Sequence, residues 1–218
     1  MAGAVVVFAP HPDDETLACG GTIAGEVRKG RDVHVVFMTG GGRSHSEGWG
    51  TASARAPENV ARVRRREAEM AASVLGVPAR NLAFLGFESP ALVEEYEAVC
   101  AEVRAVMADL APGEVYYPDR ADSHRTHRAT HDIVEACLEA IEFSGDRRRY
   151  VVWPDEEGDR AGKGGVIELD VRDTLAVKKR AIGEYRSQVA PFPEGQGQPV
   201  LARSFLAHFL TGREVFYC

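Results

Sequence analysis

Val5 to Phe8 reads VVVF, an unbroken apolar run without polar alternation, the pattern of a strand covered on both faces. A helical stretch follows, from about Thr16 or Thr22 to Lys29, and Gly30 ends it. Segment 32–39, DVHVVFMT, predicts a second strand, so the chain opens as strand, helix, strand. Residues 40–59 are rich in Gly, Ser and Ala, lack periodicity and read as a long loop. An amphipathic helix is predicted over 60–76, with Val60, Val63, Glu67, Met70, Ala71, Val74 and Leu75 on one stripe. NLAFLGF (81–87) is a third strand, 92–112 a helix, EVYYP (114–118) a fourth strand, and 126–143 a helix that Thr126 could cap. YVVWP (150–154) reads as a fifth strand, GGVIELDV (164–171) as a sixth and 174–188 as a helix, before a tail that ends in SFLAHFLTGREVFYC. Strands alternating with helices throughout predict an α/β fold: one domain over 1–218, a mainly parallel sheet, helices on both faces and right-handed crossovers.

Composition narrows the partners. With 44% hydrophobic and 27% charged residues the 218-residue chain is ordinary globular protein, and a formal net charge of −7 argues against nucleic acid or an anionic membrane surface as a partner. No apolar run is long enough for a membrane span, and no basic-then-apolar leader opens the chain, so the expected setting is cytoplasmic. Cys19, Cys100, Cys137 and Cys218 are scattered, which supports neither a zinc knuckle nor a disulfide framework. Whether the chain forms a homo-oligomer is open at this level.

In an α/β sheet, ligands collect beyond the carboxyl ends of the strands. Strand one is followed there by His11, Pro12, Asp13, Asp14 and Glu15, strand two by three glycines (Gly40 to Gly42), and strand four by PDRADSHRTH (118–127). An Asp-Asp pair standing alone is most simply a helix-start feature. Here it has a histidine within three residues and a second histidine cluster after another strand. Imidazole and carboxylate suit a catalytic Zn²⁺ with three protein ligands and one position left for water. His11 and one of Asp13 or Asp14 could supply two ligands, and a histidine of the 124–131 cluster the third. Pro10 and Pro12 keep His11 in extended chain. The carboxylate that does not bind metal is then free to accept a proton from water, which is the division of labour of a hydrolase. His127 and His131 stand four apart, a second credible ligand pair, although the simplest reading of His131 is a solvent-exposed helix residue. The glycines after Thr39 either cradle a ligand or turn the chain, and they lack the helix opening of a phosphate loop. Arg62, Arg65 and Arg66, the run Arg147 to Arg149 and the acid-rich stretch 154–160 read as surface.

PHPDDE after an apolar strand, together with the later DSHRTHRA, resembles the LmbE-like, or PIG-L, family of zinc-dependent de-N-acetylases. RVRRREAEMAASVLGV, FLGF and KKRAIGEYRSQ resemble that family's later segments, so the resemblance runs from about Val5 to Gln188. It implies a Rossmann-like three-layer sandwich. It also implies that His11, Asp14 and His127 bind Zn²⁺, or another divalent ion such as Fe²⁺, with Asp13 as general base. His124 would protonate the leaving amine or stabilise the oxyanion, and Arg64 would touch the substrate. The implied reaction releases acetate and a free amine from an N-acetylglucosamine-containing small molecule or glycoconjugate. The alternative is a metal-dependent amidase acting on a thiol conjugate of an amino sugar. A two-metal phosphoesterase would need further bridging carboxylates, and a nucleotide-binding module would leave His11, Asp13, Asp14 and His127 without a joint purpose. The chain departs from the family pattern at Thr126, where an Asp usually stands, at Gly41 and Gly42, and at Glu88 or Ser89.

Overall fold

All five residues of β1 (Val5–Ala9) are buried, and consecutive side chains go to opposite faces of the sheet. Val5, Val7 and Ala9 join one core cluster, and Val6 and Phe8 join another. The first cluster is completed by α1 (Asp14–Arg28), α2 (Pro57–Leu75) and a late helix, through Leu17, Ile23, Ala68, Leu75 and Ile182. The second is completed by Val99 and Val103 on one helix and by Ile133 and Cys137 on another. The computed structural model describes residues 3–45, 53–54, 56–154, 165–191 and 198–218. Parts of the loop expected over 40–59, the acid-rich stretch from 155 onward and Gly164 lie outside the described residues.

After β2 (Val33–Thr39) and α2 come β3 (Leu82–Phe87), α3 (Ala91–Glu94), α4 (Tyr96–Leu110), β4 (Glu114–Pro118) and α5 (Arg125–Ala140). Then follow β5 (Asp146–Tyr150), β6 (Val166–Asp170), α6 (Leu175–Glu184), α7 (Arg186–Val189), α8 (Arg203–Ala207) and β7 (Arg213–Tyr217). The seven-stranded sheet has the order β3-β2-β1-β4-β5-β7-β6. The first five strands pair in parallel, while β7 runs antiparallel to both β5 and β6. The chain winds outward from β1 in one direction through β2 and β3, and in the other through β4 and β5. The switch point therefore lies between β1 and β4, where such sheets open a crevice at their carboxyl ends.

Several expected boundaries move. The fifth strand is Asp146–Tyr150, not 150–154, so Arg147, Arg148 and Arg149 are half-buried strand residues instead of surface. Their charges are matched by Glu135 at 2.9 Å, Glu114 at 3.6 Å and Asp119 at 3.5 Å respectively. The helix expected over 92–112 breaks at Glu95, and the one over 174–188 breaks at Tyr185. α1 begins at Asp14, ahead of Thr16, and α2 begins at Pro57, which shortens the expected loop. Among the described residues no helix is long and apolar enough to cross a membrane, and all four cysteines are free.

Gly21 sets how closely α1 meets its neighbouring layer. A Cβ on Gly21 would lie 2.6 Å from Val171 Cβ, so only glycine admits the contact between α1 and the chain before α6. Glu214 of β7 reaches into α1 at this point. It accepts the N–H of Gly21 at 2.7 Å and of Thr22 at 2.8 Å, groups that an uninterrupted helix points at Leu17 and Ala18. The Lys178 ammonium of α6 closes the arrangement with a 2.7 Å ion pair to Glu214, both side chains being 1% exposed.

Candidate active site

Pro10 leads from β1 into a turn in which His11, Asp13 and Asp14 face the crevice, while PDRADSHRTH leads from β4 into α5 from the neighbouring strand. Asp14 Oδ2 lies 3.1 Å from His11 Nδ1 and 3.1 Å from His127 Nε2. Ligand atoms about 2.0–2.1 Å from one tetrahedral cation stand roughly 3.3 Å apart, so these separations fit a shared ion. The rings of His11, His124 and His127 also cluster, each offering a nitrogen within 4.8 Å of the others.

His127 carries the decisive detail. Its Nδ1 lies 3.0 Å from Asp122 Oδ2 and donates to it, so in the neutral ring that a metal requires the lone pair is on Nε2, which faces Asp14 and His11. Nε2 is buried and has no hydrogen-bond partner, an orphan that a cation would satisfy. Burial alone would lower the His127 pKa, but the carboxylates of Asp14 and Asp122 outweigh it and raise it to about 10. Asp14 is held far below the usual carboxylate range: burial opposes this, but His127 and His11 dominate. The point between these two carboxylates calls for positive charge. The donor set, nitrogen and carboxylate oxygen, fits a divalent metal.

Asp122 is the partner that sequence reasoning missed. Thr126 stands where the family's Asp was expected, yet a carboxylate is supplied to His127 from five residues upstream. Its Oδ2 also accepts the N–H of Val152 at 2.8 Å and of Trp153 at 3.0 Å, and its Oδ1 accepts that of His124 at 2.9 Å. The only signal was the Asp in RADSH. Asp122→Asn is expected to weaken metal affinity about 10- to 100-fold, since such carboxylates orient the ligand and raise its basicity. Competition with a chelating dye measures it, and unchanged affinity would remove Asp122 from the ligand's support.

Asp13 sits beside the cluster and is 6% exposed. Burial pushes its carboxyl well above the usual range, against the pull of the Arg64 guanidinium, whose Nη2 lies 2.9 Å from Asp13 Oδ1. Arg64 also donates to the carbonyls of Pro12 and, at 2.9 Å, Gly41. It borders the cavity but is 3% exposed, with its guanidinium turned to these partners. Gly41 adopts φ +60°, and a Cβ there would lie 2.7 Å from Arg64 Cζ. The glycines after Thr39 thus make room for α2, and Gly41 also borders the cavity.

His124 caps α5, its Nδ1 accepting the Thr126 N–H at 3.2 Å, so its Nε2 carries the proton of the neutral ring. Burial, then the charge of His127, lowers its pKa. His131, expected in solvent, is 7% exposed and bonds the Pro118 carbonyl through Nδ1 at 2.9 Å, so it stands apart from the imidazole cluster. The cavity in front of these groups has a volume of about 640 Å³. Its walls include Trp153, Val200 and Leu201 on one side and Pro90 and Val93 on another, with Arg43, Glu94 and Arg125 also bordering it.

The chain is similar to known proteins in sequence and fold. The chain is 35% identical over 149 residues to a 1D-myo-inositol 2-acetamido-2-deoxy-alpha-D-glucopyranoside deacetylase of Rhodococcus opacus, a match covering 60% of this chain and 51% of that one. It is 29% identical over 203 residues to a diacetylchitobiose deacetylase of Thermococcus kodakarensis, covering 87% of this chain and 70% of the relative. The chain thus spans about half the length of the first of these and more of the second. Among solved structures, N,N'-diacetylchitobiose deacetylase from Pyrococcus horikoshii, complexed with its inhibitor MPG, superposes with a TM-score of 0.66 at 25% identity, over 88% of this chain and 72% of that one. The family model described as PIG-L, GlcNAc-PI de-N-acetylase, matches residues 6–138, a span running from β1 almost to the end of α5 and holding every member of the cluster. On that match the chain belongs to the PIG-L family of GlcNAc-PI de-N-acetylases.

Proposed function

We propose that the protein is a zinc-dependent hydrolase that removes the acetyl group from an N-acetylglucosamine-type amino sugar, releasing acetate and a free amine. The observation that carries this reading is the buried Nε2 of His127, which meets no hydrogen-bond donor or acceptor in good geometry and lies 3.1 Å from an Asp14 oxygen that is equally close to His11, with Asp13 alongside. His11, Asp14 and His127 would hold the metal. When bound, the ion supplies Lewis-acid polarisation of the acetamide carbonyl and a water of lowered pKa. Asp13 accepts the proton of the attacking water as the new C–O bond forms, and Arg64 keeps the Asp13 carboxylate aimed. The Nε2–H of His124 donates to the developing oxyanion. The proton held by Asp13 then passes to the departing nitrogen as the C–N bond breaks. The relatives named above act on N-acetylated glucosamine units, and a cavity of about 640 Å³ leaves space beyond one sugar for a second group. The four free cysteines support a cytoplasmic setting.

Amine release from a panel of N-acetylated glucosamine derivatives and thiol-conjugate amides of amino sugars, with zinc and with a chelator in excess, tests the reading. Release that the chelator abolishes and zinc restores is expected. No release from any member with zinc present overturns it, and release only from a thiol-conjugate amide assigns the amidase chemistry instead.

A further inference from the structure

Asp13 has φ +131° and ψ −29°, a backbone conformation that a residue with a Cβ rarely holds unless its surroundings impose it. The peptide between Pro12 and Asp13 is gripped from both ends. Its carbonyl accepts from Arg64, and its N–H donates to Glu15 Oε2 at 3.1 Å. Glu15 is in turn fixed through its other oxygen. The Tyr185 hydroxyl donates to Oε1 at 2.6 Å, and the Thr16 hydroxyl donates to the same atom. Glu15 is 2% exposed and Tyr185 1%, so water does not compete for these bonds. Tyr185 occupies the break between α6 and α7, which also places Gln188 on the cavity wall. A glutamate that only opened a helix would lie in solvent near the helix N–H groups. Glu15 instead faces inward and takes the N–H of the strained residue two positions before it.

We infer that Glu15 and Tyr185 are positioning residues: they lock the Pro12–Asp13 peptide so that Asp13 keeps its unfavourable backbone and holds its carboxylate beside the metal ligands. The inference rests on the reading of Asp13 as the base. It predicts that loss of the clamp misplaces the base without removing substrate contacts or metal ligands, and misplacement on the 1 Å scale costs roughly 10²-fold in rate.

The test compares the zinc-loaded wild-type chain with Glu15→Leu, Glu15→Gln and Tyr185→Phe, using the N-acetylglucosamine panel as substrate. Glu15→Leu keeps the bulk and removes both acceptors, and kcat is expected to fall about 10- to 100-fold, with KM within about twofold and metal content unchanged. Glu15→Gln still offers an oxygen to the Asp13 N–H and is expected to keep kcat within about threefold. Tyr185→Phe, the mildest packing change, is expected to fall between them and decides the matter if Glu15→Leu does not fold. Wild-type kcat in the folded Leu and Phe variants, a loss expressed in KM, or a Gln variant as impaired as Leu would overturn the assignment. If the wild-type chain releases no amine at all, the functional reading fails. The crystal structure of a folded clamp variant, Glu15→Leu or otherwise Tyr185→Phe, then still judges the clamp. Relaxation of Asp13 to negative φ is expected, and retention near +131° overturns it.

Discussion

Asp13→Asn is expected to lower turnover by about 10²- to 10⁴-fold, the range a positioned general base supplies, while the metal stays bound. Asparagine is the informative replacement because it tolerates positive φ better than alanine, so the backbone at +131° is disturbed least. It keeps the size of the side chain and removes the proton acceptor. The Arg64 guanidinium loses a charged partner but retains the Pro12 and Gly41 carbonyls, which limits the change in stability. Steady-state amine release paired with elemental analysis separates the two effects. Turnover near wild type would take the base role away from Asp13. Lost turnover together with lost metal would place Asp13 among the groups that hold the ion.

The largest effect on stability is expected outside the imidazole cluster, at Glu214. Removing this carboxylate as Glu214→Ala leaves the buried Lys178 ammonium without its anion and strips the Gly21 and Thr22 N–H groups of their acceptor. Breaking a buried pair in this one-sided way costs about 3–5 kcal/mol. For a chain of this size that lowers Tm by roughly 6–20 °C, at about 2–4 °C per kcal/mol. The double replacement Lys178→Met with Glu214→Leu should recover much of the loss, because no charge is then stranded. Thermal unfolding followed by circular dichroism measures both. A single variant melting within about two degrees of wild type would show that the pair contributes little.

The parts of the molecule legible in the sequence are those whose cause is local. β1 announces itself because burial on both faces demands an unbroken apolar run. The cluster after it announces itself because so many carboxylates at the end of such a strand need a shared reason. Asp14, His11 and His127 do converge. What was hidden depends on contacts across the fold. Arg147 to Arg149 look like surface until Glu135, Glu114 and Asp119 are seen to meet them, so β5 was set four residues late. Asp122 could not be paired with His127 without knowing the turn between β4 and α5. The burial of His131 is hidden as well, because helical spacing alone does not say which face of α5 meets the sheet. Glu15 reads from the sequence either as a helix start or as a supporting carboxylate and has no firm role there, because its partner Tyr185 is 170 residues away.

The placement of the cluster at the switch between β1 and β4 divides the inheritance of the molecule. Every residue of the proposed chemistry lies within the matched span 6–138, whereas Trp153, Gln188, Val200 and Leu201, one flank of the cavity, lie beyond it. Descent can therefore revise what the cavity admits by substitution in the last third of the chain, with the reaction left untouched wherever Tyr185 is kept. Relatives named for different amino sugars are the outcome such a division favours, and a graft of residues 139–218 between two of them is the exchange in which selectivity should travel while the acetamide chemistry stays behind.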